Sequence, residues 1–165
     1  MNPVARKAAQ TVVKANVWLY RRTNGRVAGR GLGRLPLLLL TVPGRNSGTP
    51  RTVPIAYLDH ERGYLLVGTG MGGSRAIPQW FLNLQAAGKG CIQIGGQEHD
   101  VDAHLASNIE RDALWPLIAG RAPHFARWQA RTGRSLPVIV LTVRSSSGLA
   151  PRPRKIARDV RRTGS

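Results

Sequence analysis

Between residues 37 and 69 the chain runs LLLLTVPGRNSGTPRTVPIAYLDHERGYLLVGT, three β-forming runs (37–42, 52–58 and 63–69) separated by little more than turn chemistry. Strands joined this tightly pair antiparallel, because a parallel pair needs a long crossover. The segment PGRNSGTPR between the first two is a hairpin loop: glycine supplies positive φ and proline fixes φ. Arg45 and Arg51 stand near the two shoulders of this turn. Exposed backbone N–H groups there can join them in holding an anion.

The pattern resumes downstream. Residues 90–94, then Gly95-Gly96, then 98–105 with alternating Val101, Ala103 and Leu105 read as a second hairpin. LPVIVLTV, 136–143, is a strongly apolar last strand. Helices are expected at 3–22, where Val4, Ala8, Val12, Ala15 and Leu19 recur at helical spacing, and from Pro78 to residue 87, with Ile77, Trp80, Phe81 and Leu84 as one stripe. The capping box Ser107-Asn108-Ile109-Glu110 opens another helix, ended by Gly120, and 123–132 form a short one with Phe125 and Trp128 on one face. The fold expected is mainly β with flanking helices: about six mostly antiparallel strands whose short connections suit a closed or split β-barrel. Its units are a basic helix and glycine-rich loop (1–34), the barrel (35–144) and a disordered basic tail (145–165).

Charge is unevenly distributed. The net +17 includes +8 from residues 1–34, which hold no acid, and +5 from 151–165, leaving +4 for the middle. Basic ends favour polyanions, and the N-terminal helix, with Trp18 and Tyr20 near its end, can lie on an anionic membrane face. The alternative is a helix packed across the barrel with one solvated face. No apolar run reaches spanning length and no signal-peptide core opens the chain, so a cytoplasmic protein is expected, peripheral on the membrane at most. Cys91, the single cysteine, excludes an internal disulfide and reads as inert core filling.

Gly68, Gly70 and Gly73 match the dinucleotide fingerprint between a strand and a helix, but a doubly wound sheet needs repeated βαβ units that this chain lacks. No Ser–His–Asp neighbourhood, C-x-x-C or H-x-x-x-H occurs, and His60, His99, His104 and His124 are scattered, so no metal site is expected. Without an evident acid, base or nucleophile, the chain either lacks catalysis or delegates it to a cofactor.

Several segments carry a resemblance. LYRRTNGRVAGRG, LLLLTVPGRNSGTPRTVPIAYL, GTGMGGSRAIPQWFLNL, ERDALWPLI, RAPHFARWQARTGR and LPVIVLTV, together spanning roughly residues 17–143, resemble the deazaflavin-dependent nitroreductase family, split β-barrel oxidoreductases of actinobacteria that bind coenzyme F420. The ordered set G-R-x-S-G-x-x-R, a Gly-Gly pair, P-x-W-x-x-N-L and L-W is specific where no single piece is.

The resemblance implies a cofactor site. Arg45, Asn46, Ser47 and Arg51 would hold the phosphate and acidic tail of F420. Thr52, Val53, Pro54, Ile55 and Ala56 would run beside it. Gly68, Thr69, Gly70 and Met71 would back the deazaflavin ring, with Gln79, Trp80 and Asn83 supplied by the helix. Guanidinium forks suit a phosphate and a polyglutamate. Hydride transfer from the deazaflavin C5 to an electron-poor acceptor is implied, with Tyr57, Phe125 and Trp128 lining the acceptor site and Tyr57 or solvent supplying the proton.

Departures shape the acceptor. Met71 stands where the family often has lysine, with Arg75 nearby as a substitute cation. Phe125 and Trp128 stand where several members have tyrosines, and Ala56 replaces another. A quinone or an enone fits these positions as well as a nitro compound. The other readings are FMN in the same barrel, a non-catalytic carrier of F420, FMN or lipid, and a nucleic-acid binder. The last is disfavoured because the tail's basic residues are not interleaved with aromatics. Monomer and homodimer both remain open.

Overall fold

The computed structural model describes residues 3–26, 29, 35–61, 63–69 and 76–144. The basic tail, Gly70, Met71 and Arg75 lie outside the described residues.

Helix α1 (Pro3–Thr23) precedes strands β1 (Leu37–Pro43), β2 (Pro50–Ala56), β3 (Leu58–His60) and β4 (Gly63–Val67). Helix α2 (Gln79–Ala87), the hairpin β5 (Lys89–Ile94) and β6 (Gln97–Leu105), helices α3 (Asn108–Arg121) and α4 (Pro123–Thr132), and β7 (Val138–Val143) follow. All seven strands form one sheet in the order β2-β1-β5-β6-β7-β4-β3, and every neighbouring pair is antiparallel. Only Tyr57 separates β2 from β3, yet they are the sheet's two opposite edges. The sheet therefore curls until its edges approach, leaving a split between them. The expected barrel holds, with seven strands rather than six. The extra strand arises because Tyr57 turns the 52–58 run out of its pairing with β1, so the last residues pair with β4 instead.

Alternation sorts each strand's side chains between two apolar clusters. Leu38, Leu40, Val42, Ile55, Leu66, Ile92, Val101, Ile139 and Leu141 fill the barrel interior, which Phe81 and Leu84 of α2 close. Leu65, Val67, Val138 and Val140 point the other way, onto Ile118 of α3 and Phe125 of α4.

Local chemistry sets several boundaries. Ser107 Oγ accepts the Glu110 N–H at 3.2 Å, but the Glu110 carboxylate turns to the His104 ring, 2.9 Å away, so only half the expected capping box closes. Gly120 does not end α3, which continues to Arg121 before the cap at Ala122. Gly133, at φ 66°, ends α4 in the left-handed conformation that glycine tolerates. Gly68, Thr69 and the first residues of LPVIVLTV fall outside the strands.

Tyr20 is 1% exposed rather than available to a membrane. Its hydroxyl donates to the Leu37 carbonyl at 2.9 Å and accepts the Gly95 N–H at 3.0 Å, fastening α1 to β1 and to the β5–β6 turn. Trp18 remains 63% exposed beneath the Arg22 guanidinium. Cys91 is half-buried and not in either core: with Thr41, Lys89, Asp100 and Arg144 it lines a cavity of about 370 Å³. Among the described residues no helix is long and apolar enough to cross a membrane.

Candidate functional site

The site begins with an edge. Pro43 pairs with Pro50, and Pro54 pairs with Leu39. Prolines have no N–H to exchange, so these are the pairs without ladder hydrogen bonds. By the same register Thr52 and Ala56 direct their backbone N–H groups away from β1, into the split. Thr52, Val53, Pro54 and Ala56 are half-buried and Ile55 is buried in the barrel. The edge strand thus offers backbone donors on one side and apolar packing on the other.

At the head of this edge, residues 44–49 form a compact turn. Gly44 N–H binds the Thr49 carbonyl at 2.9 Å, and the N–H groups of Ser47 and Gly48 both return to the Gly44 carbonyl. Gly48, at φ 66°, supplies the left-handed step. A Cβ on Gly44 would lie 2.8 Å from Ser47 Oγ and 3.1 Å from Arg51 Nε, so glycine is what lets these two polar groups converge. Arg45, Asn46, Ser47 and Arg51 are all exposed.

Helix α2 locks the turn in place. Asn83, buried, accepts the Arg45 backbone N–H at 3.2 Å and its guanidinium at 3.3 Å through the same Oδ1. Gln79 Oε1 takes a second Arg45 hydrogen bond at 2.8 Å. The loop arginine, the helix glutamine and the helix asparagine, 34 to 38 residues apart in the chain, therefore form one unit. Trp80 is half-buried, edge-on to Phe81 at 5.8 Å.

Gly68 sits where β4 leaves the sheet. A Cβ there would lie 2.7 Å from the Phe81 ring and 2.8 Å from Pro137, so α2 and the start of β7 meet over bare backbone. Thr69 follows, half-buried. Arg134, three residues ahead of Pro137, keeps Nε and Nη2 buried with no hydrogen-bond partner among the described residues. Such a donor pair awaits an oxygen that those residues do not supply.

The proposed acceptor residues separate. Phe125 is buried among Leu58, Leu65, Val67 and Val138, a core position more than a pocket wall. Trp128 and Ala56 are half-buried, and both pack against that same cluster. Tyr57 is buried, edge-on to Tyr64 at 5.0 Å. Burial, then the Asp59 carboxylate, pushes its pKa up to about 12. It keeps its proton at any neutral pH and acts as a hydrogen-bond donor more readily than as an acid. It stands at the far end of β2 from the arginine turn.

Sequence reasoning missed His124. Its ring lies 4.3 Å from Phe125, tilted, and 4.9 Å from Trp128, edge-on, making a trio where a pair was expected. Its place beside Phe125 at the start of an amphipathic helix was the available signal. Among the described residues no group of three or more His, Cys, Asp or Glu side chains is placed to hold a metal ion.

Comparison with known proteins fits this geometry. An F420H(2)-dependent quinone reductase of Mycobacterium tuberculosis (strain ATCC 25618 / H37Rv) is 35% identical over 129 residues, covering 76% of this chain and 86% of the relative. A solved F420-H2 dependent reductase, FDR-A, superposes with a TM-score of 0.58 at 30% identity, over 64% of this chain and 93% of its own. A solved domain-swapped dimer superposes with a TM-score of 0.61 at 26% identity, over 85% and 99% of the two chains. The model of one family matches residues 12–143, nearly the whole described barrel together with half of α1, and on that match the chain belongs to the F420H(2)-dependent quinone reductase family.

Proposed function

We propose that this chain binds reduced coenzyme F420 along the open edge of β2 and passes its reducing equivalents to a quinone. The observation that carries the reading is the linked unit of Arg45, Gln79 and Asn83 at the head of an unpaired strand edge. The residues present suit the cofactor's chemistry. The cofactor has a phosphate and a polyglutamate tail at one end and a flat heterocycle at the other. The turn offers two arginines and a Gly44 concavity that a side chain would fill. The edge offers the Thr52 and Ala56 N–H groups to ring oxygens. When bound, the cofactor supplies the hydride.

The protein's part is positional. Asn83 and Gln79 hold Arg45 so that its remaining donors face outward without searching rotamers, which lowers the entropic cost of gripping an anion. Arg51 adds the second fork. Bare backbone at Gly68 lets Phe81 and Pro137 pack against the end of β4, which fixes α2 beside it, and Trp80 presents an aromatic edge. Ala56, small where a tyrosine would intrude, and Trp128 both belong to the apolar surround that the quinone would meet. A neutral acceptor needs no charged clamp, and Trp128 packs against an apolar cluster.

Titration of F420 fluorescence with purified protein, beside the same titration with FMN, tests the reading. Micromolar or tighter F420 binding with little FMN binding is expected. Preference for FMN would overturn the cofactor, and binding of neither would remove the site.

A second reading concerns α1. Its exposed Trp18, with Lys14 and Arg22 on the same side, forms a basic face with an aromatic anchor suited to an anionic bilayer, where lipophilic quinones reside. Sedimentation with vesicles of phosphatidylglycerol, lost on Trp18→Ser or at high salt, is expected. Recovery in the supernatant under all conditions would refute it. A solved relative is a domain-swapped dimer, and a homodimer of this chain formed by exchange of α1 predicts twice the monomer mass by light scattering.

A further inference from the structure

His124 is the titratable side chain that the site just described leaves unused. It opens α4, half-buried, with its ring packed on both Phe125 and Trp128. Among the described residues neither ring nitrogen has a hydrogen-bond partner, and neither is sealed from solvent without one. An imidazole packed edge-on to Trp128, at 73°, and tilted at 44° to Phe125 has its plane restricted by both neighbours, and with it the direction of its N–H. Trp128 packs against the same cluster as Ala56, the last residue of the open edge. A flat acceptor lying on this aromatic patch meets two polar ring groups, the Trp128 indole N–H and the His124 imidazole, of which the imidazole is the titratable one.

We infer that His124 is the hydrogen-bond donor to the quinone oxygen, a catalytic residue for this chain's reaction. The inference rests on the reading of Trp128 as the acceptor wall. Burial, and secondarily the Arg127 guanidinium, holds the imidazole pKa below the ordinary histidine range. The ring is therefore neutral at neutral pH and carries one N–H, which is the form that polarises a carbonyl without adding a charge to a half-buried site. In the overall reaction F420H2 and a quinone become F420 and a hydroquinone. Two electrons and one hydrogen arrive as hydride, and a proton completes the second O–H, so no further reductant is consumed. Negative charge builds on the quinone oxygen before that proton arrives. An N–H aimed at that oxygen is worth more there than in the ground state.

The test uses the full chain and duroquinone, whose ring positions are all substituted, so that it cannot add to Cys91. His124→Phe keeps the aromatic packing and removes the donor, while His124→Asn restores an N–H donor. With F420 affinity unchanged, kcat for duroquinone falls by roughly 10²–10³-fold in His124→Phe, as for a lost oxyanion donor, and recovers in part in His124→Asn. Independently of turnover, duroquinone added to ¹⁵N-labelled protein shifts the His124 ring nitrogens and the Trp128 indole N–H resonance. Full turnover in His124→Phe overturns the inference. A shifted Trp128 indole with unmoved His124 resonances overturns it while leaving the acceptor wall intact. Neither signal responding would remove the wall as well.

Discussion

The closed side of the barrel and its open edge are built from the same kind of strand but answer to different constraints. On the closed side β1, β5, β6, β7 and β4 each pair on both flanks, and their inward residues are aliphatic and almost wholly buried. On the open side β2 pairs with β1 alone, carries two prolines, and runs from exposed Pro50 and Arg51 to half-buried residues, with Ile55 alone buried. The closed side stores stability. The open side spends little on pairing and keeps donors free. A binding edge is affordable here because six other strands do not depend on it.

Four changes probe that division. Leu40, fully buried between paired strands, lies at the heart of the closed side. Leu40→Ala should cost about 2–5 kcal/mol in urea unfolding while leaving F420 affinity of the folded fraction alone. Arg51→Ala should do the reverse, weakening F420 binding by roughly 1.5–3 kcal/mol with an unchanged urea midpoint, since the side chain is exposed in the apo fold. An affinity unaffected by Arg51→Ala would take the turn out of the site. Gly68→Ala falls on the border: its Cβ would press on the Phe81 ring and Pro137, for about 1–3 kcal/mol of overpacking. Here both stability and F420 affinity should drop together, and a loss of one alone would separate the two sides more sharply than proposed.

The smallest effect is in acid. Burial lowers the folded-state pKa of His124, so the unfolded chain binds a proton more readily. Stability tied to this ring is therefore present above the ordinary histidine pKa of about 6.5 and lost as pH falls below it. His124→Phe should flatten that part of the acid limb in thermal melts, and an unaltered limb would assign it to other groups.

Much of this division was legible in the sequence because the signals were local. The alternation of Val101, Ala103 and Leu105 around Gly95-Gly96 gave a hairpin, and the turn residues between 43 and 51 gave another. The resemblance singled out Arg45, Gln79 and Asn83 before any contact among them was visible. What stayed hidden depends on distant partners. That Tyr20 would bury its hydroxyl between β1 and the β5–β6 turn cannot be read from an amphipathic helix, whose periodicity marks a face but not what covers it. Cys91 looked like core because its strand is apolar. Yet one-residue alternation put it on the outer face, and only the register shows which face that is. Phe125 and Trp128 have the same spacing whether they line a pocket or fill a core, and the fold divides them between the two.

The prolines of β2 have a further consequence. A free strand edge is an invitation to another chain, and backbone pairing there is how soluble proteins begin to stack into fibres. Pro50 and Pro54 withdraw two N–H groups from the outward row, so an incoming strand finds its ladder interrupted at every other rung. A small flat molecule needs only the rungs that remain. The edge that admits a ligand is thus guarded against self-association by the same two residues, and replacing them would be felt first as a loss of solubility on storage.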